Sequence, residues 1–140
     1  MVEIYDLKDK YLSIDKELSW HGEEAIMPQV LLSFPYEYPK PPSTIVITTD
    51  EFTAVCPWTG LPDYGTLEIS YTPFEQIIEL KSLKYYLLSF RDVGIVQEHV
   101  ANRILQDMVE LITPQYIRLV LNYKARGGLQ TSVTVEWPNN

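Results

Sequence analysis

In the stretch "EFTAVCPWTGLPDYGTLEISYTP" (51–73), the chain's only cysteine, Cys56, precedes a proline, and Asp63 follows beyond Pro57, Gly60 and Pro62. A free thiol with a pKa of about 8.5 is a few per cent thiolate at neutral pH, and that fraction attacks electrophilic carbon. A carboxyl group returned to it across a constrained turn is placed to protonate what the sulfur has attacked. Two plainer readings stay open on these residues alone. A lone cysteine also serves as a small buried hydrophobe, and an aspartate beside glycine and proline also caps a turn. The Pro/Gly-rich surroundings predict an irregular, accessible turn, which suits the chemical reading.

Three further groups could hold a ligand. Glu98 in "QEHVANRI" offers two acceptors that match two parallel N–H donors, such as the N1/2-amino edge of a guanine-like ring, or it complements a helix dipole. In "ELKSLKYY" (79–86), Lys81, Ser82 and Lys84 stand at the start of a helix, where backbone N–H groups and lysines attract phosphate. Lys81 and Lys84 share one side of it. "ARGGLQ" could carry Arg126 to another phosphate over a close glycine backbone, or could be a hairpin turn. His99 has no supporting ligands.

These residues must be positioned by one domain. The chain has 140 residues, 46% hydrophobic, enough for a sizeable core and against disorder. No apolar run reaches the roughly 18 residues of a membrane span. The N-terminus is charged throughout and lacks a signal-peptide core. With a single thiol, these features predict a reducing cytoplasm and no membrane partner. One Cys and two scattered His (His21, His99) predict no metal site. The net charge is −8, but residues 1–80 hold 4 Lys/Arg against 14 Asp/Glu and residues 81–126 hold 7 against 4. Such acidity disfavours nucleic acid, and the local basic segment suits a small anionic ligand.

Residues 1–28 show no clean periodicity and read as a partly irregular arm, followed by an extended Pro/aromatic connector, "FPYEYPKPPS". The predicted units are therefore an arm and connector over 1–42 and a catalytic domain over 43–140. "TIVITT" (44–49) and the alternating "GTLEISY" (65–71) read as strands. Leu80, Leu83, Leu87 and Phe90 mark one face of a helix, which "RDVG" interrupts. A second helix begins near Gln97, with Val100, Ile104, Met108 and Ile112 on its apolar stripe, and "TP" stops it. "YIRLVLNYK" (116–124) and "SVTVEW" (132–137) are two more strands, joined through "ARGG". The order is ββααββ, an α+β fold with an antiparallel sheet.

"FTAVCPWTGLPDYGTLEISYTP", "ELKSLKYYLLSF", "QEHVANRI" and "RGG", in this order and approximate spacing, resemble the QueF family of NADPH-dependent 7-cyano-7-deazaguanine (preQ0) reductases of queuosine biosynthesis, a tRNA-modification pathway. The likeness covers roughly residues 43–130, and Glu79–Tyr86 satisfy the family signature at every position. The single-domain length resembles the unimodular subfamily. The resemblance implies the tunnelling fold, with both helices on one face of the sheet. It also implies ring-forming oligomers with active sites between neighbouring subunits, and the Pro and aromatic content of residues 1–42 suggests a tether across such an interface. Cys56 matches the nucleophile that forms a thioimidate, and Asp63 the proton donor. Glu98 matches the carboxylate that holds the deazaguanine, assisted by Ile78, Glu79 and Leu80 and adjoined by Gln97. Leu80, Lys81, Lys84, Arg126 and Gly127 match the neighbourhood of NADPH, the co-substrate, of which two are consumed per turnover. No metal enters the chemistry. The family usually has His-Glu where this chain has Gln97-Glu98, so no role that needs a titrating imidazole passes to Gln97.

Two other functions compete. A QueF-like amidinotransferase uses a similar Cys/Asp pair on a nitrile-bearing tRNA base without NADPH. A non-catalytic purine- or pterin-binding protein of this fold would leave Cys56 inert. The intact "ELKSLKYY" argues against the first, and so does the net acidity, which suits a free base better than tRNA. The joint presence of nucleophile, acid and cofactor signature argues against the second.

Overall fold

The computed structural model describes residues 1–139, residues 15–17 by their backbone only. The elements are α1 (Leu7–Glu17), β1 (Ser33–Pro35), β2 (Ile45–Val55), β3 (Pro62–Thr72), β4 (Gln76–Ile78), α2 (Leu80–Leu88), α3 (Gln97–Ile112), β5 (Tyr116–Tyr123) and β6 (Ser132–Trp137). β2, β3, β5 and β6 form one antiparallel sheet in that order, and β1 pairs with β4 in a small second sheet. The predicted ββααββ succession is present, with two short strands added: β1 at the start of the expected connector and β4 before the helices.

Strict alternation makes the sheet one-sided. Leu67, Ile69 and Tyr71 of β3 and Ile117, Leu119, Leu121 and Tyr123 of β5 are buried, and their neighbours face outward. Each such side chain contributes about 1.5–3 kcal/mol relative to exposure. Val100, Ala101, Ile104, Met108 and Ile112 of α3 cover that face from the same side, with Leu83, Tyr86 and Phe90 from α2 and the turn after it. Leu80, expected on the buried face of α2, is exposed because it is the first helical residue and overhangs the sheet. At the other helix end, Thr113 adopts φ 39°, so α3 stops in a left-handed residue just before Pro114.

β2 carries the feature that matters most for chemistry. Its register to β3 shifts between Thr49 and Phe52. Ile45, Ile47 and Thr49 share one face before the shift, and Phe52 and Ala54 continue that face after it. The bulge thus sends Cys56, two residues past Ala54, to the core side.

The first 42 residues are more ordered than their sequence suggests. Residues 7–17 are helical, with Leu7, Tyr11 and Ile14 three and four apart but little core to cover, which blurs the periodicity. Ile26 and Leu31 enter the main core. Leu32 N–H donates to the Ser82 hydroxyl at 2.9 Å, and Glu79 N–H donates to Leu32 O at 2.9 Å.

Candidate active site

Ala54 is the direct cross-strand partner of Asp63. Because strand side chains alternate, Cys56 lies on the same face as Ala54, next to Asp63. The turn between them is short. Gly60 N–H donates to Cys56 O at 2.7 Å and Cys56 N–H to Leu61 O at 2.9 Å, with Gly60 in the left-handed region at φ 73°. The expected accessible loop is corrected by this arrangement: the strands run up to Val55 and restart at Pro62, so Cys56 is only 4% exposed. Its sulfur is nevertheless not a core filler. Burial pushes the thiol pKa up, but the Thr59 hydroxyl, the Trp58 and Thr59 backbone groups and the charge of Arg126 together bring it below its ordinary value.

Asp63 is 5% exposed, and its Oδ1 accepts from Arg126 Nη1 at 2.8 Å. Arg126 comes from the β5–β6 connection, where Arg126 and Leu129 exchange backbone hydrogen bonds of 2.8 and 3.0 Å around Gly127 and Gly128. Both glycines have positive φ (60° and 80°), which the tight hairpin turn requires. "ARGG" is therefore a turn, as one of its two readings held, and it aims a guanidinium at the acid.

Gln97 and Glu98 open α3 directly across from this pair. The Tyr123 hydroxyl donates to Gln97 O at 3.0 Å and so pins the helix start to β5. Burial, with the charges of Asp63 and Glu98 nearby, raises the pKa of Tyr123 and keeps it a neutral donor at the base of the site. Gly65, opposite Tyr123, has little room for a side chain: a Cβ there would lie 3.0 Å from Asn122 O and 3.1 Å from Leu121 Cδ1. Cys56, Asp63, Gln97, Glu98 and Arg126 line one cleft of about 430 Å³, together with Trp58, His99 and Thr131 among others. Among the described residues, no three His, Cys, Asp or Glu side chains gather as metal ligands, and no helix is long and apolar enough to cross a membrane.

The other candidates lie elsewhere in the chain. Leu80 and Lys84 line a separate cleft of about 280 Å³, with Phe52, Leu83, Leu87 and Arg91. Ile78 is buried, and its N–H donates to the Tyr71 hydroxyl at 3.1 Å. Glu79 is the N-cap of α2: its two oxygens accept from Lys81 N–H at 3.1 Å and Ser82 N–H at 2.6 Å. The Ser82 bond leads the causes that draw the Glu79 carboxyl below its ordinary range. The first amides of α2, expected to attract phosphate, are thus already satisfied by Glu79. Ser82 is buried and structural, donating to Glu79 O at 2.7 Å and accepting from Leu32.

Sequence reasoning missed Thr59, Trp58, Thr131 and the hydroxyl of Tyr123. Only Trp58 and Thr59 carried a signal, by their closeness to Cys56. The other two come from β5 and from the residue before β6, about sixty or more residues further along the chain.

A family profile described as "QueF-like protein" matches residues 62–140. The NADPH-dependent 7-cyano-7-deazaguanine reductase of Caldicellulosiruptor bescii is 45% identical over 131 residues, covering 94% of this chain and 98% of that protein. The protein of the same name from Chloroherpeton thalassium is 47% identical over 110 residues, 79% of this chain and 95% of its own. A crystal structure of the archaeosine synthase QueF-Like in its apo form superposes with a TM-score of 0.64 over 69% of this chain and 95% of that one, at 23% identity, a likeness of fold.

Proposed function

The chain belongs to the QueF family, and we propose that the Cys56 cleft is where it reduces 7-cyano-7-deazaguanine with NADPH, an oxidoreductase reaction on a nitrile. The observation that carries this reading is the convergence of Cys56, Asp63, Glu98 and Arg126 on one cleft. Asp63 accepts the Cys56 proton while sulfur bonds to the nitrile carbon. It then returns that proton to the nitrogen, leaving a neutral thioimidate on Cys56. The thiol is poised for this because the Thr59 hydroxyl and the adjoining N–H groups stabilise its anion. Glu98 holds the N–H edge of the base, and Gln97 adds a neutral side chain that keeps one protonation state. NADPH, when bound, supplies hydride, and two equivalents carry a nitrile to a primary amine. Arg126 and Gly127 fit its anionic groups, since they stand at the cleft rim with open space beside Gly127.

We further propose that a second copy of the chain completes the site, in ring-like assemblies. Leu80, Lys81 and Lys84 are exposed and lie around the other cleft, so they reach a ligand at Cys56 from a neighbouring subunit. Ile78 would contribute through its backbone. Residues 1–42 act as an arm to a 43–140 catalytic unit of the unimodular type. The substrate is the free base in the cytoplasm, which suits the net charge of −8 and the single thiol.

The test follows NADPH absorbance with 7-cyano-7-deazaguanine supplied to wild type and Cys56→Ala, with mass spectrometry for an adduct when NADPH is withheld. Turnover and adduct in wild type alone are expected. An adduct without NADPH oxidation would replace the reading by the amidinotransferase, and neither signal would leave a binding protein.

A further inference from the structure

Trp20 occupies a place that nothing in the reaction accounts for. Its indole spans the two backbone segments that carry the two walls of the cleft. A Cβ placed on Gly60 would fall 2.7 and 2.8 Å from the indole Cε3 and Cζ3. One placed on Gly94 would fall 2.5 Å from Nε1 and closer still to Cδ1. Real Cβ contacts essentially never come so near, so the six-membered ring lies flush on Gly60 and the five-membered ring flush on Gly94. Gly60 belongs to the turn that begins at Cys56. Gly94 belongs to the segment that enters α3 at Gln97 and Glu98.

The backbone next to Trp20 is tied in as well. His21 N–H donates to Asp92 O at 2.8 Å and Gly94 N–H donates to His21 O at 2.7 Å. On the other side of the same segment, Val55 N–H donates to Val93 O at 3.0 Å and Ile95 N–H to Val55 O at 3.2 Å. Residues 93–95 therefore run between His21 and Val55 as the middle of a three-part parallel bridge. Trp20 lies over the end of that bridge and reaches past it to the Cys56 turn.

We propose that Trp20 is a positioning residue for this reaction: wedged between Gly60 and Gly94, it fixes the Cys56 turn relative to the start of the Glu98 helix. The two glycines are the fitted sockets of that wedge. Gly60 also needs its positive φ, but Gly94 has no such conformation, so the room for Trp20 is what forbids a side chain there. The inference rests on the Cys56 cleft being the reaction site. A nucleophile and a ring-holding carboxylate must be held in register, and a shift of about 1 Å costs on the order of a hundredfold in rate.

The experiment compares wild type, Trp20→Phe, Trp20→Ala, Gly94→Ala and the Trp20→Ala/Gly94→Ala double variant in two assays. One is the pH profile of Cys56 alkylation by iodoacetamide, which senses how the 57–61 turn faces the sulfur and needs no substrate. The other is NADPH oxidation at saturating 7-cyano-7-deazaguanine. Trp20→Ala and Gly94→Ala are each expected to raise the alkylation inflection and to cut turnover about tenfold or more, with Trp20→Phe between them and wild type. The double variant is expected to be no worse than Trp20→Ala, because the added Cβ then no longer meets the indole. Multiplying losses, or an unmoved inflection in the single variants, would overturn the proposal. Should Trp20→Ala not fold, Trp20→Phe and Gly94→Ala carry the same comparison. Moved inflections in the single variants, together with a wild type that oxidises no NADPH, would mean that the assigned reaction fails while the wedge stands.

Discussion

The strongest local claim is that the environment of Cys56 outweighs its burial, and Thr59→Ala tests it. In the folded protein the sulfur is 4% exposed, which by itself disfavours a thiolate. The Thr59 hydroxyl is the largest of the opposing influences. Thr59 stands on the exposed outer part of the turn, so its bond to the sulfur is a solvent-weakened one. A hydrogen bond of this kind is worth about 0.5–1.5 kcal/mol, or about two- to tenfold in the equilibrium it favours. Because Cys56 is the only cysteine, the rate of iodoacetamide alkylation against pH reports it without assignment. Wild type should inflect below the ordinary thiol range and Thr59→Ala higher than wild type, with alkylation at pH 7 slowed about two- to tenfold. Thr59→Ser keeps the hydroxyl and should behave as wild type. That control also preserves the second bond of the hydroxyl, which accepts from Leu61 N–H at 3.2 Å and which Thr59→Ala removes together with the first. A wild-type inflection above that of a free thiol would refute the reasoning outright, since burial would then win. An unchanged inflection in Thr59→Ala would refute the assignment to Thr59.

Two further outcomes follow from the same geometry. Asp63→Asn keeps an oxygen for Arg126 but loses the exchangeable proton, so NADPH oxidation should fall by about 10²–10⁴ while the thermal midpoint moves little; equal activity would remove Asp63 from the chemistry. Tyr86 donates to Asp107 Oδ2 at 2.5 Å, and Asp107 also accepts from Arg103 Nε at 3.0 Å, so Tyr86→Phe should cost about 1.5–3 kcal/mol in urea unfolding. Burial first, and the Asp107 carboxylate second, raise the Tyr86 pKa far above the ordinary tyrosine value. The folded state therefore retains a proton that the unfolded chain releases above pH about 10, and stability should fall as pH rises through that range. The fall should be shallower in Tyr86→Phe; an equal slope would place the lost protons elsewhere.

How much of this was legible depends on the length scale of each signal. The strands and α3 were readable because alternation and four-residue steps are local, and Leu67–Tyr71, Ile117–Tyr123 and Val100–Ile112 show them without interruption. The facing of Cys56 was not readable. It depends on a register shift at Asp50–Glu51, two polar residues with no glycine to mark a bulge. Nor could the sequence show that the thiol would be buried and still activated, since that balance is set by Thr59 and Arg126, 67 residues apart in the chain.

"ELKSLKYY" shows how a specific motif and its physical work can separate. Its residue types suggest a ligand site of lysines and helix amides, but in the folded chain Glu79 and Ser82 spend their polar atoms on the helix start and on Leu32. What remains free is Leu80, Lys81 and Lys84, on the outer side of a helix whose inner side is packed into the core. The capping bonds therefore do two things at once. They close off the amides as an anion site, and they fix the direction in which the lysines project, away from the Cys56 cleft of their own chain. If these lysines serve the same reaction, they must serve it in another subunit.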